Sequence, residues 1–117
     1  MKTVEVIWST AASEETLAQL RLDGLEPVTM RRVETDMFDG LEDWQICEKM
    51  FEATNLQDGA AWEIVQPLPP NRTHTSLSVG DYVSVDGRMY RCASIGWDRT
   101  DTFEPGLAFS DPRGDEF

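Results

Sequence analysis

The sequence predicts an α+β fold in which two helices pack on a mainly antiparallel sheet that includes a C-terminal β-hairpin. The chain opens with an alternation of apolar and polar residues, the period of a strand with one buried face. Near its end, Asp86-Gly87 joins two β-rich runs at 81–85 and 88–93, and an Asp-Gly pair between such runs is typical of a two-residue hairpin turn. The hairpin favours an antiparallel sheet over a parallel one.

The chain has 117 residues, the usual length of one domain, and 40% of them are hydrophobic. We expect residues 1–97 to form a single domain and residues 98–117 to form an acidic, partly irregular tail, because prolines and glycines recur there. No stretch approaches the ~18 consecutive apolar residues of a membrane helix. The sequence therefore predicts a cytoplasmic protein.

The first half of the chain predicts two strands and one helix. Val4, Val6 and Trp8 alternate with polar residues and predict a strand over 2–8. Ser13 and Gly24 are typical helix-ending residues and predict a helix over 13–23. A weaker alternation predicts a second strand over 27–36.

The strongest helix signal spans residues 40–54. Asp39 is its predicted N-cap, with Glu42 three residues later in a capping-box arrangement. The apolar residues that recur every three or four positions, and so form the predicted inner face, are Leu41, Trp44, Cys47 and Phe51. After a turn, the apolar residues between Ala60 and Val65 predict a short strand.

The residues of chemical interest favour a protein that is not an enzyme and has no cofactor. Cys47 and Cys92 lie in apolar segments and are expected to be buried thiols, and with His74 they are too few for a structural zinc site. His74 is the only histidine, and no motif places a nucleophile beside it. The glycines lack the spacing of nucleotide-binding loops.

Negative charge is concentrated in one part of the chain. The formal net charge is −12, and residues 34–63 contribute 1 − 9 = −8 of it. Such a surface repels nucleic acid and suits a partner with a basic face, although an acidic surface that only confers solubility is the alternative. Trp97 stands before the charged tail and is a further candidate contact. The predicted partner-binding residues are Glu34, Asp36, Asp39, Glu42, Asp43, Glu48, Glu52 and Trp97.

Residues 45–97 resemble the YodL-like domain of small phage and mobile-element proteins. Ser76-Leu-Ser-Val-Gly-Asp81 matches the stretch that leads into the family's strand pair, and Ala93-Ser-Ile-Gly-Trp97 matches its ending, with Ala in place of Asp and Trp in place of Phe. Cys47 to Asn55 is similar to the family's upstream helix. The resemblance implies a mobile-element context, where small acidic proteins that disarm host restriction or CRISPR machinery are common, and it supplies no catalytic residues.

Two functional hypotheses follow. In the first, the protein binds and inhibits a host nucleic-acid-binding defence complex, of the anti-CRISPR or antirestriction type, because carboxylates along the helix at 40–54 imitate DNA phosphates. Its partner is then a host protein with a basic nucleic-acid-binding surface. In the second, the protein is a non-catalytic adaptor or structural module of a phage or mobile element, whose contacts are apolar and involve the hairpin and Trp97.

Overall fold

The structure, a computed structural model, describes residues 1–9 and 14–100. The three helices and five strands of these residues confirm the predicted α+β class. In chain order the elements are β1 (Lys2–Ser9), α1 (Glu14–Leu22), β2 (Val28–Thr35), α2 (Asp43–Leu56), α3 (Ala60–Ile64), β3 (Tyr82–Val85), β4 (Arg88–Cys92) and β5 (Trp97–Thr100).

The strands form one sheet in the order β2-β1-β3-β4-β5, and every neighbouring pair is antiparallel. The alternation that predicts β1 also determines what β1 buries. Val4 pairs with Val85 and Val6 with Val83, so these side chains share one face of the sheet. That face carries the main hydrophobic core, in which α2 packs on the sheet.

The prediction that Trp44 and Phe51 lie on the inner face of α2 is wrong. The helix buries Ile46, Cys47 and Met50, followed by Ala53 and Thr54, whereas Trp44 is 61% and Phe51 36% exposed. Both sets recur at three- and four-residue spacings, so periodicity alone does not choose between them. Leu41 does pack against the core, but it precedes the helix.

The predicted start of α2 is also displaced. Glu42, not Asp39, is the N-cap residue. Its side chain accepts from the backbone of Gln45, and the Gln45 side chain accepts from the Glu42 backbone N–H at 2.8 Å. The capping box therefore exists, but it lies three residues further along the chain than predicted.

Two other predicted boundaries differ from the structure. Residues 60–64 form the helix α3 rather than a strand, since Ala60 and Ala61 are strong helix formers and a run of five residues is too short for its period to decide. At the other end, Trp97–Thr100 forms β5 beside β4, so the sheet extends beyond the predicted domain end at residue 97. Residues 101–117 of the predicted tail, and the predicted cap Ser13, lie outside the described residues.

The predicted hairpin is confirmed. Asp86 and Gly87 join β3 to β4 with φ values of 50° and 87°, the left-handed conformation that a primed two-residue turn requires. The Asp86 carboxylate also accepts from the backbone N–H of Thr3 at 2.8 Å. The turn therefore fixes the register of β3 and β4 and also holds the start of β1.

Replacing Gly87 by valine should lower the free energy of unfolding by about 1–3 kcal/mol, because a β-branched residue is strained at this φ. Nothing lies within 4 Å of an added Cβ, so the loss would come from backbone strain and not from a clash. We expect thermal unfolding to show a melting temperature several degrees lower. Gly87→Asn is the control and should lose much less, since Asn tolerates this conformation; equal melting of Gly87→Val and the parent would contradict the turn.

Candidate functional site

The predicted partner-binding carboxylates do not all share one surface. Five of them are exposed in the loop after β2 or along α2, and we call these five the acidic face: Asp36, Asp39, Glu42, Glu48 and Glu52. Met37 and Phe38 line a cleft together with Glu52, so the loop lies against the flank of α2. This contact brings the loop carboxylates to the same side of the molecule as α2.

Within the acidic face, Glu48 and Glu52 lie four residues apart on α2 and therefore share its outer surface. Asp39 forms an ion pair with the N-terminal amine of Met1 at 3.0 Å. Both groups of that pair are well exposed, and such pairs contribute little to stability. Glu42 is exposed but also serves as the helix cap, so its carboxylate has a structural role as well.

Glu34 is separated from the acidic face. Val33, its neighbour in β2, packs into the core that α2 covers. Because successive side chains of a strand alternate, Glu34 points to the opposite side of the sheet. It is exposed there and lies 3.8 Å from Arg32. Glu34 therefore lies on a different side of the sheet from the acidic face.

Asp43 also lies apart from the acidic face, because its side chain points toward β4. Its carboxylate accepts two hydrogen bonds from the Arg88 guanidinium, at 2.6 and 3.0 Å, and a third from the Tyr90 hydroxyl. The side chain is only 17% exposed. Asp43 thus joins the first turn of α2 to β4 and is unavailable to a partner. Sequence reasoning missed this role because Arg88 lies 45 positions away in the chain.

The same contacts set the ionisation of the three groups. Hydrogen bonding from Arg88 lowers the pKa of Asp43 from 3.8 to about 2, with burial acting in the opposite direction. The Asp43 carboxylate in turn raises the pKa of Arg88. Burial, followed by the bond to Asp43, raises the pKa of Tyr90. At neutral pH the pair is therefore fully charged and the tyrosine is protonated.

Exposed apolar side chains lie on the side of α2 that faces β5. Trp44 and Phe51 are seven residues apart and so lie on one side of the helix. The rings of Phe51 and Trp97 meet edge to face with centroids 6.5 Å apart. Ile95, in the turn before β5, is 91% exposed. We call Trp44, Phe51 and Trp97 the aromatic flank; of these, only Trp97 was predicted as a contact, and it is half-buried.

His74 belongs to a hydrogen-bonded chain that no motif indicated. Its Nδ1 lies 2.7 Å from Thr73 Oγ1 and its Nε2 lies 2.6 Å from Asp81 Oδ2. The fully buried Asp81 also accepts from the backbone N–H groups of Ser9 and Ser78, both at 2.8 Å. These bonds hold the end of β1, the loop after Thr73 and the start of β3 together, so we assign Asp81 a structural role.

The chain shows no significant match to any protein-family model, any curated protein or any solved structure. Within the described residues, no three His, Cys, Asp or Glu side chains come together as metal ligands would. None of the described helices is long and apolar enough to cross a membrane. The function must therefore be inferred from the surfaces of this chain alone.

Replacing Asp43 by asparagine should lower the free energy of unfolding at pH 7 by about 1–2 kcal/mol, because Arg88 and Tyr90 lose an ionised acceptor. Since folding lowers the pKa of Asp43, this contribution is present above about pH 4 and is lost as the pH falls through about 2. Urea unfolding of parent and variant at pH 7, 4 and 2.5 should show the difference shrinking with acidification. Glu48→Gln, an exposed control on the same helix, should match the parent throughout. A difference independent of pH would exclude the ionic role of Asp43.

Proposed function

We propose that this protein binds and inhibits a host nucleic-acid-binding defence complex, of the anti-CRISPR or antirestriction type, through its acidic face. The partner surface in this proposal is basic and normally binds nucleic acid. The observation that carries the proposal is the side-by-side position of the acidic loop after β2 and the outer surface of α2. The resemblance of residues 45–97 to YodL-like domains supports the mobile-element context.

The arrangement of charge supports the proposal. Residues 34–63 contribute −8 to a total of −12. Lys49 is the only basic residue in that range, so few local cations offset the carboxylates. Grooves that bind DNA obtain much of their affinity from neutralising phosphates, and clustered exposed carboxylates can occupy the same basic side chains. A partner bound in this way would be unable to bind its nucleic acid.

The role of Asp43 changes how the proposal must be tested. A lysine at position 43 would lie against Arg88 and disturb the fold, and a lysine at position 42 would remove the helix cap. Reversal of Glu48 and Glu52 alters the acidic face without touching either contact. Both side chains are exposed, so we expect the folded structure to persist.

The double variant Glu48→Lys, Glu52→Lys should lose capture of its partner from host lysate by at least tenfold. The matched control is Glu15→Lys, Glu26→Lys, which makes the same change in net charge at exposed positions outside residues 34–63 and should capture normally. Duplex DNA added in excess should displace the partner from the parent protein. Equal capture by the two double variants, or capture that excess duplex DNA does not reduce, would contradict the proposal.

The alternative function, an adaptor module, is favoured by the aromatic flank. Trp44 is 61% exposed, and tryptophan is among the residues most often central to protein interfaces. In this case the acidic face is only solvated and the partner contacts the side of α2 that faces β5. The two functions thus use adjoining surfaces of one helix, since Trp44 and Glu48 lie four residues apart.

Salt and a second variant separate the two functions. Association through carboxylates should weaken steeply between about 0.05 and 0.5 M salt, whereas apolar association should not. Trp44→Gln should leave capture unchanged if the acidic face binds, and should abolish it if the aromatic flank binds. Loss of capture in Trp44→Gln together with salt-independent binding would favour the adaptor.

A further inference from the structure

A cleft of about 350 Å³ opens between the loop after β2 and the turn from α2 to α3. Phe38 and Ala53 are the buried members of its lining, and Gly59 and Ala60 contribute a wall without bulky side chains. The volume is at the low end of the roughly 300–1,000 Å³ of small-molecule sites. This size suits one long side chain better than a large cofactor.

Charged side chains surround the apolar part of the cleft. Glu52 and Asp58 are exposed and contribute two carboxylates, and Lys49 contributes one ammonium group. Among the described residues, none of the three has an ion-pair partner within 4.0 Å. The lining therefore has a net charge of 1 − 2 = −1, with both carboxylates available to a cation.

We propose that the cleft receives an arginine side chain from the basic surface of the partner, an inference that rests on the proposed function and names the group it recognises. The aliphatic part of arginine would lie against Phe38 and Ala53, since long basic side chains bury their stems on apolar surface. The planar guanidinium has five N–H donors and can bond two carboxylates at once, which a lysine ammonium does less well. Met37, on the same cleft, is flexible enough to adjust to the inserted chain.

The probe for this site is N-acetyl-arginine amide, titrated into the isotope-labelled protein at pH 7 while backbone amide resonances are followed. We expect saturable shifts at Gly59 and Ala60. N-acetyl-lysine amide should bind several-fold more weakly. N-acetyl-citrulline amide, which has nearly the shape of arginine without its charge, should cause no saturable shift. Equal binding of all three probes, or of none, would overturn the proposal.

Three substitutions test the electrostatic assignment in opposite directions. Glu52→Gln and Asp58→Asn should each weaken arginine amide binding about three- to tenfold, whereas Lys49→Gln should strengthen it. Glu15→Gln, an exposed change on α1 outside both the cleft and the acidic face, is the control and should bind as the parent does. If the substitutions only disturbed the shape of the cleft, Lys49→Gln would weaken arginine amide binding just as Glu52→Gln does. Weaker binding in all three variants would therefore also reject the site.

The experiments separate failure of this inference from failure of the proposed function. If Glu48→Lys, Glu52→Lys loses its partner but arginine amide does not bind, the acidic face stands and the cleft assignment is wrong. If arginine amide binds with the expected variant pattern but Glu48→Lys, Glu52→Lys captures its partner normally, the cleft binds arginine and the acidic-face function is wrong.

Discussion

The bond between Asp43 and Arg88 determines which residues of α2 reach solvent. Residues 43, 46 and 50 lie on one face of a helix because of their three- and four-residue spacings. Once Arg88 and Tyr90 hold the Asp43 carboxylate over β4, Ile46 and Met50 must point into the core. The same rotation turns Trp44 outward. A half-buried acidic residue held against β4 at the start of the helix is thus followed by an exposed tryptophan.

The anchoring of α2 produces two unlike surfaces on one helix. Glu48 and Glu52 lie on the outside, and on the side facing β5 the ring of Phe51 meets that of Trp97. Apolar contact is short-ranged and insensitive to salt, whereas carboxylates act over about a Debye length, ~8 Å at physiological ionic strength. The acidic face could therefore raise the association rate of a partner, while apolar contacts nearby set its dissociation rate.

Sequence reasoning succeeded where local chemistry decides the structure. Asp86 and Gly87 tolerate the positive φ values that a two-residue turn requires, and the alternation in β1 follows from the pleat of a single strand. It failed where the spacing of apolar residues allows two alternative inner faces for one helix. Trp44 and Ile46 both belong to apolar stripes of α2, and the choice between them depends on the bond from Asp43 to Arg88, which lies 45 positions further along the chain. No periodicity contains that information. The same limit applies to Asp43 and Glu48. Both are acidic residues of α2, but Asp43 is bonded to Arg88 whereas Glu48 is exposed.

The formal net charge also exceeds the charge that is free to bind an external cation, because several carboxylates are bonded within the fold. Asp86 accepts from the N–H of Thr3 at one end of β1, and Asp81 accepts from the N–H of Ser9 at the other. Since β1 and β3 are antiparallel, the two carboxylates flanking β3 bind both ends of β1. Buried carboxylates require such donors, and a carboxylate that has them no longer competes for an external cation. The carboxylates without internal donors are therefore the ones open to an external cation, and Glu48, Glu52 and Asp58 meet that condition among the described residues.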